Sequence, residues 1–170
     1  MDIFIEEMVK KQMTIKDILL ILCTFLLCAA LIAVLFLLST VFPAFGTIVF
    51  LVMAAVVYGT YRVFISFDVE YEYSLVNSEI DIDKILGRKR RKRVTTVKLT
   101  GLEAFGKSDN AEYKKYLSDS GVKKIFVCRN SSDNNYFIVR GGDKREMVIF
   151  SPSEKIISVI EKFNPRRNTF

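Results

Sequence analysis

Apolar residues follow three different patterns along this chain, and each predicts a different kind of element. Residues 18–61 carry no charge at all over 44 positions. A helix needs about 20 apolar residues to cross a bilayer, so this run is long enough to cross twice. The break lies at Thr40-Val41-Phe42-Pro43-Ala44-Phe45-Gly46, which holds the run's only proline and its first glycine. Proline removes a backbone donor and clashes with the preceding turn, so it stops a helix. The pattern predicts one helix over 18–41 and a second over 45–64. Arg62 is expected to snorkel its guanidinium to the interface.

From residue 65 the pattern changes to a period of two. Ile65, Phe67, Val69, Tyr71, Tyr73 and Leu75 alternate with polar residues, which predicts a half-buried strand. Asn77-Ser78 is a turn signal. Ile80 and Ile82 alternate with Glu79, Asp81 and Asp83 in a second strand, Gly87 opens a basic turn, and 94–100 reads as a third strand. Residues 102–105 continue or follow it, and 111–117 suit a short helix ended by Gly121. Further strands are expected at 122–129, 136–140 and 146–150, joined by turns at 130–134 and 141–143. The last pattern is helical: Ile156, Ile157, Ile160 and Phe163 share one face. Ser151-Pro152-Ser153-Glu154 reads as a capping box with proline at the first helical position, and Asn164-Pro165 ends the helix. The N-terminal stretch 1–17 is ambiguous. Ile3, Phe4, Met8, Met13 and Ile15 suit a short interfacial helix or a disordered lead-in.

The predicted organisation is α+β. An N-terminal arm (1–17) leads into a transmembrane helical hairpin (18–64). A six- or seven-stranded antiparallel barrel or sandwich follows, closed by a C-terminal amphipathic helix (65–165), with a short tail at 166–170. Two competing readings of the apolar run fail. A signal peptide has an apolar stretch of about 7–15 residues. A buried soluble hairpin would need more protein around it than the 109 residues that follow it supply. Tyr58 and Tyr61 suit an interfacial belt, and Gly59 with Ala54 and Ala55 suits close helix contact.

Charge adds orientation. The link between the predicted helices has no charge. Lys10, Lys11 and Lys16 precede the first helix, and Arg62 and the run Arg88-Lys89-Arg90-Arg91-Lys92-Arg93 follow in the rest of the chain. Counting lysine and arginine alone, both termini are expected in the cytoplasm, with the protein in the cell membrane. Residues 62–170 hold 22 Lys/Arg and 15 Asp/Glu, so the six-cation run supplies nearly all of that part's net positive charge.

Composition excludes much chemistry. There is no histidine, so histidine-based triads and histidine-ligated metals are ruled out. Three cysteines make neither a disulfide framework nor a four-cysteine zinc site; Cys23, Cys28 and Cys128 read as packing residues. No phosphate loop or nucleophile elbow appears, so the chain is expected to be no enzyme and to need no cofactor. Asn130-Ser131-Ser132 matches a glycosylation acceptor, which a cytosolic face makes irrelevant.

Two charged constellations remain. The run Arg88–Arg93, with Arg62, is the candidate contact for anionic membrane lipid, because a strand leaving the membrane and a second returning over equal length bring the turn back to headgroup level. Asp68, Glu70 and Glu72 share one strand face, and Glu79, Asp81 and Asp83 share a face of the next. Paired across a hairpin they repel, so Lys84, Lys92 or Lys98 is expected to neutralise them. A divalent cation or a basic partner protein is the alternative. Nucleic acid fits poorly, since no recognition helix or aromatic-rich strand motif is present.

The order Tyr73-Ser74-Leu75-Val76-Asn77-Ser78-Glu79-Ile80-Asp81-Ile82, then Gly87-Arg88-Lys89-Arg90, resembles the opening hairpin of bacterial pleckstrin-homology-like (PH-like) membrane proteins. These place such a domain directly after a two-helix hairpin. The layout over about 18–165 also resembles a group of small two-span proteins from Gram-positive anaerobes. The resemblance implies a fold and a membrane location, and it carries no catalytic residues to transfer. The functional expectation is a membrane-anchored binding or scaffold module at the inner leaflet, with an unidentified membrane or cytosolic protein partner. The alternative is an accessory subunit of a larger transport or secretion complex.

Overall fold

The computed structural model describes residues 4–130, 135–141, 145–164 and 168–169. The chain divides into two units: 13–68 form one, and 1–12 together with 69–170 form the other.

The first unit is a helical hairpin. Helix α1 spans Ile15–Val41, a short 3-10 turn follows at Pro43–Phe45, and helix α2 spans Gly46–Phe67. At 1.5 Å per residue both exceed the roughly 30 Å hydrocarbon thickness. Helix α1 begins three residues before the uncharged run because Asp17 accepts the Thr14 backbone N–H at 3.0 Å, which caps the first turn. Helix α2 continues three residues past its expected end, so Ile65 and Phe67 are helical rather than the start of a strand. Both helices are long and apolar enough to cross a membrane. Helix α1 buries no residue and α2 buries only Val49, so their leucine, valine and phenylalanine side chains have no protein core to enter. A core helix of a soluble protein would be mostly buried.

The second unit is a sandwich of two sheets. Strands β1 (Phe4–Lys10), β2 (Val69–Val76), β3 (Glu79–Leu86) and β4 (Arg90–Lys98) form an antiparallel sheet in that order. Strands β5 (Leu102–Lys107), β6 (Lys123–Val127), β7 (Tyr136–Arg140), β8 (Glu146–Phe150) and β9 (Asn168–Thr169) form the other, in the order β6-β8-β7-β5-β9. No pairing among the described residues closes the two sheets into a barrel. Helix α3 (Ala111–Ser118) joins β5 to β6, and helix α4 (Glu154–Phe163) follows β8.

Four sequence expectations are corrected. Within the arm, residues 4–10 are neither helical nor a lead-in but strand β1, paired with β2 from Phe4↔Val76 to Lys10↔Glu70. The second sheet is not wholly antiparallel, since β6 lies beside β8 with both running the same way, and β5 pairs with β9 in parallel. Helix α4 starts at Glu154 with Ser153 as its cap residue, not at Pro152. Ser151 is engaged elsewhere, accepting the Arg129 N–H at 3.0 Å and donating to Asn135 Oδ1. The third strand starts at Arg90, so only Arg88 and Lys89 of the basic run lie in the turn. The turns expected within 131–134 and 142–143, the glycosylation match beyond Asn130 and the Pro165 stop lie outside the described residues.

The core explains the patterning. Tyr73, Leu75, Ile80 and Ile82 meet Phe105, Ile138, Val148 and Phe150 of the facing sheet, with Ile156 and Ile160 of α4 filling the end. The second sheet is buried on both faces. Its other side packs Phe137, Val139, Met147 and Ile149 against Tyr113 and Tyr116 of α3. A sheet covered on both faces has near-continuous apolar strands, which is why β7 and β8 read as apolar runs. Tyr73 ties the layers together: its hydroxyl donates to the Val127 carbonyl and accepts the Ser151 N–H at 3.3 Å.

Candidate functional site

The charged residues singled out above lie mainly on the outer face of the first sheet. Tyr73, Leu75, Ile80 and Ile82 point inward, so Glu72, Ser74, Glu79, Asp81 and Asp83 point outward. Glu72 stands directly opposite Asp83, and Ser74 opposite Asp81. Like charges so placed repel, and both Glu72 (3% exposed) and Asp83 (7% exposed) are buried. Burial of carboxylates requires partners.

The partners come from the basic run itself. Arg93 places Nη1 3.0 Å from Asp81 and Nε 3.0 Å from Asp83. Arg91 reaches Glu72 through Nη2 and lies 3.6 Å from Asp83. Thr96 donates to Asp81 at 2.6 Å, and Ser74 donates to Glu72 at 3.4 Å. The hydrogen bond that Arg91 donates to Glu72 raises the Arg91 pKa above its ordinary value, and the one that Arg93 donates to Asp83 does the same for Arg93. Among the described residues one oxygen, Glu72 Oε2, is buried without a hydrogen-bond partner.

The expected neutralisers were Lys84, Lys92 and Lys98. Lys98 does pair with Glu79 at 3.5 Å. Lys84 and Lys92 instead face each other in the β3–β4 register, with no ion pair among the described residues. The cause is a register shift between Ile82 and Asp83. Thr95 stands opposite Ile82, but Arg93 stands opposite Asp83, so Val94 is the extra residue of a bulge. Simple alternation from Val94 would turn Lys92 outward; the bulge turns Arg91 and Arg93 outward instead.

The six cations therefore have different roles. Arg91 and Arg93 are bound to buried carboxylates. Arg88 lies 3.7 Å from Glu70. Lys89, Arg90 and Lys92 are exposed and carry no ion pair among the described residues. The turn is tight: Gly87 and Arg88 both have positive φ, 54° and 57°, and the Lys89 N–H closes it on the Leu86 carbonyl at 3.1 Å. Arg62 is exposed within α2, in the other unit. Asp68 caps the end of α2 and is not on the strand with Glu70 and Glu72. Among the described residues no three carboxylates or cysteines gather in a way that could hold a metal ion. Cys128 is buried, and burial raises its thiol pKa.

Sequence reasoning missed β1 and the hydrogen-bonded node at Tyr73. The Tyr73 node had no signal, because its partners are backbone groups 54 and 78 residues away.

A two-sheet sandwich ended by a C-terminal helix, with two long apolar helices joined to its sheet, defines a PH-like protein with two candidate membrane spans. The chain belongs to the family described as bacterial PH-like domain (DUF6106), whose match covers residues 1–169. No curated protein and no solved structure matches it.

Proposed function

We propose that this protein is a non-enzymatic binding module anchored in the cell membrane by α1 and α2, with both termini cytoplasmic. Its basic turn contacts anionic lipid headgroups. The observation that carries this reading is the strand register. Leu86, just before the turn, pairs with Val69, the second residue after α2, and Lys10, five residues before α1, pairs with Glu70. Both chain connections to the apolar helices thus leave from the same end of the sheet as the turn. The cations available there are Lys89, Arg90 and Lys92, with Arg88 more loosely held. Each contributes about 1 kcal/mol near an anionic surface.

The test uses the full chain in nanodiscs, with a fluorophore on residue 89 or 90 and a quencher on the lipid headgroup. Anionic bilayers should quench the probe in a salt-sensitive way. The variant Arg90→Ser/Lys92→Ser should weaken the effect without unfolding the sheet. Equal quenching in neutral and anionic bilayers would rule the lipid contact out.

A further inference from the structure

Strand β1 is an edge strand, and its hydrogen-bonding phase can be worked out. The Lys11 N–H donates to the Val69 carbonyl at 3.0 Å. In an antiparallel ladder, bonded residues alternate, so residues 5, 7, 9 and 11 turn their backbone groups toward β2. The opposite set turns away from it. Gln12, in that set, donates its N–H to the Arg129 carbonyl at 2.6 Å and so seals one end of the edge. Glu6 and Met8 belong to the same set, and their outward N–H and C=O groups have no backbone partner among the described residues.

Those groups do not face open solvent. A groove runs along the edge, as two adjoining clefts of about 390 and 540 Å³ that share Glu7. Its far wall is the segment from β8 into α4, including Pro152, Ser153 and Lys155. Glu7 is already used, since its carboxylate accepts the Ser153 N–H at 3.0 Å. Glu6 and Glu154 stand on opposite walls, are exposed, and have no ion pair among the described residues. They outnumber the single Lys155 at that end.

We propose that this groove binds an extended peptide segment of a partner protein, which adds a fifth strand to the first sheet beside β1. The backbone of Glu6 and Met8 supplies the hydrogen bonds, as in other strand additions at a sheet edge. Successive side chains of a strand point to opposite faces. Two consecutive basic residues in the peptide therefore meet Glu6 on one side and Glu154 on the other. The chemistry selects a dibasic, otherwise uncharged, extended segment. This rests on the reading of the protein as a binding module, but not on lipid contact.

The test uses the full chain in neutral detergent micelles, where no anionic lipid is present. The probes are a nine-residue Thr/Val peptide with a central Lys-Lys pair and its Glu-Glu counterpart. Binding is read by fluorescence anisotropy, and the site by amide hydrogen exchange. The lysine peptide should bind at least tenfold more tightly than the glutamate peptide and slow exchange at Glu6 and Met8. Met8→Pro removes an N–H that β2 does not use, as an edge position allows, and should abolish binding while the circular dichroism spectrum is retained. If Met8→Pro unfolds, the double variant Glu6→Lys/Glu154→Lys serves instead, and it should invert the preference between the two peptides. Equal affinity for both peptides, binding without protection of the Glu6 and Met8 amides, or no binding at millimolar peptide would each overturn the proposal.

Discussion

At the scale of single residues, one hydroxyl holds polarity inside the sandwich. The Tyr73 hydroxyl satisfies a buried carbonyl and a backbone N–H at once. Tyr73→Phe leaves both unpaired and should cost about 1–3 kcal/mol by urea denaturation. Burial pushes the phenols of Tyr71 and Tyr73 up from their ordinary value near 10. The folded chain therefore keeps protons that the unfolded chain releases. Their contribution to stability is complete below about pH 10 and declines as pH rises above it. Tyr73→Phe should flatten that alkaline decline, measured as urea midpoints between pH 8 and pH 11. Arg91 and Lys92 are neighbours with opposite consequences. Arg91→Ala strands the Glu72 carboxylate and should lower the urea midpoint, whereas Lys92→Ala, with no ion pair among the described residues to lose, should leave it nearly unchanged.

At the scale of elements, helix α4 and the β4 bulge decide most. Ile160 is fully buried between the sheets, so Ile160→Ala should cost about 2–5 kcal/mol in thermal or urea unfolding. Deleting Val94 should close the bulge and leave Thr95 opposite Ile82 and Arg93 opposite Asp83, so Arg91 and Arg93 keep their carboxylates. The expected result is a urea midpoint close to that of Val94→Ala, since both lose the same partly buried side chain and neither loses an ion pair. Strands β2, β3, β7 and β8 were legible because their apolar residues follow the sheet's own period or its two-sided burial. Strand β1 was not. Its inward Glu7 is polar because it accepts the Ser153 N–H, and its outward Phe4 and Met8 are exposed, so the alternation is masked from both sides. The basic run was legible as a run, but its division into paired arginines and unpaired cations depends on one extra residue in β4. No local pattern marks a bulge between two residues as ordinary as Arg93 and Thr95.

At the scale of the whole molecule, the helical hairpin is the connection between two adjacent strands of one sheet. A chain that starts at residue 66 lacks β1 and uncovers the edge of β2, so it should be poorly soluble when expressed alone. Because Lys11 and Val69 face each other as a bonded pair, joining them through Asn-Gly makes an ordinary two-residue hairpin. That shortened chain should be soluble without detergent and keep strand-rich circular dichroism. The same connection constrains how the protein is made. Glu70 leaves the ribosome sixty residues after Lys10, its partner in the ladder, so β1 must wait through the synthesis of both apolar helices. If one helix crossed the bilayer and the other did not, β1 and β2 would end on opposite sides and could never pair. Folding of the sheet thus depends on the parity of the crossings. Only an even number permits it, so in a chain anchored by α1 and α2 the assembled sandwich would be a check that the threading was correct.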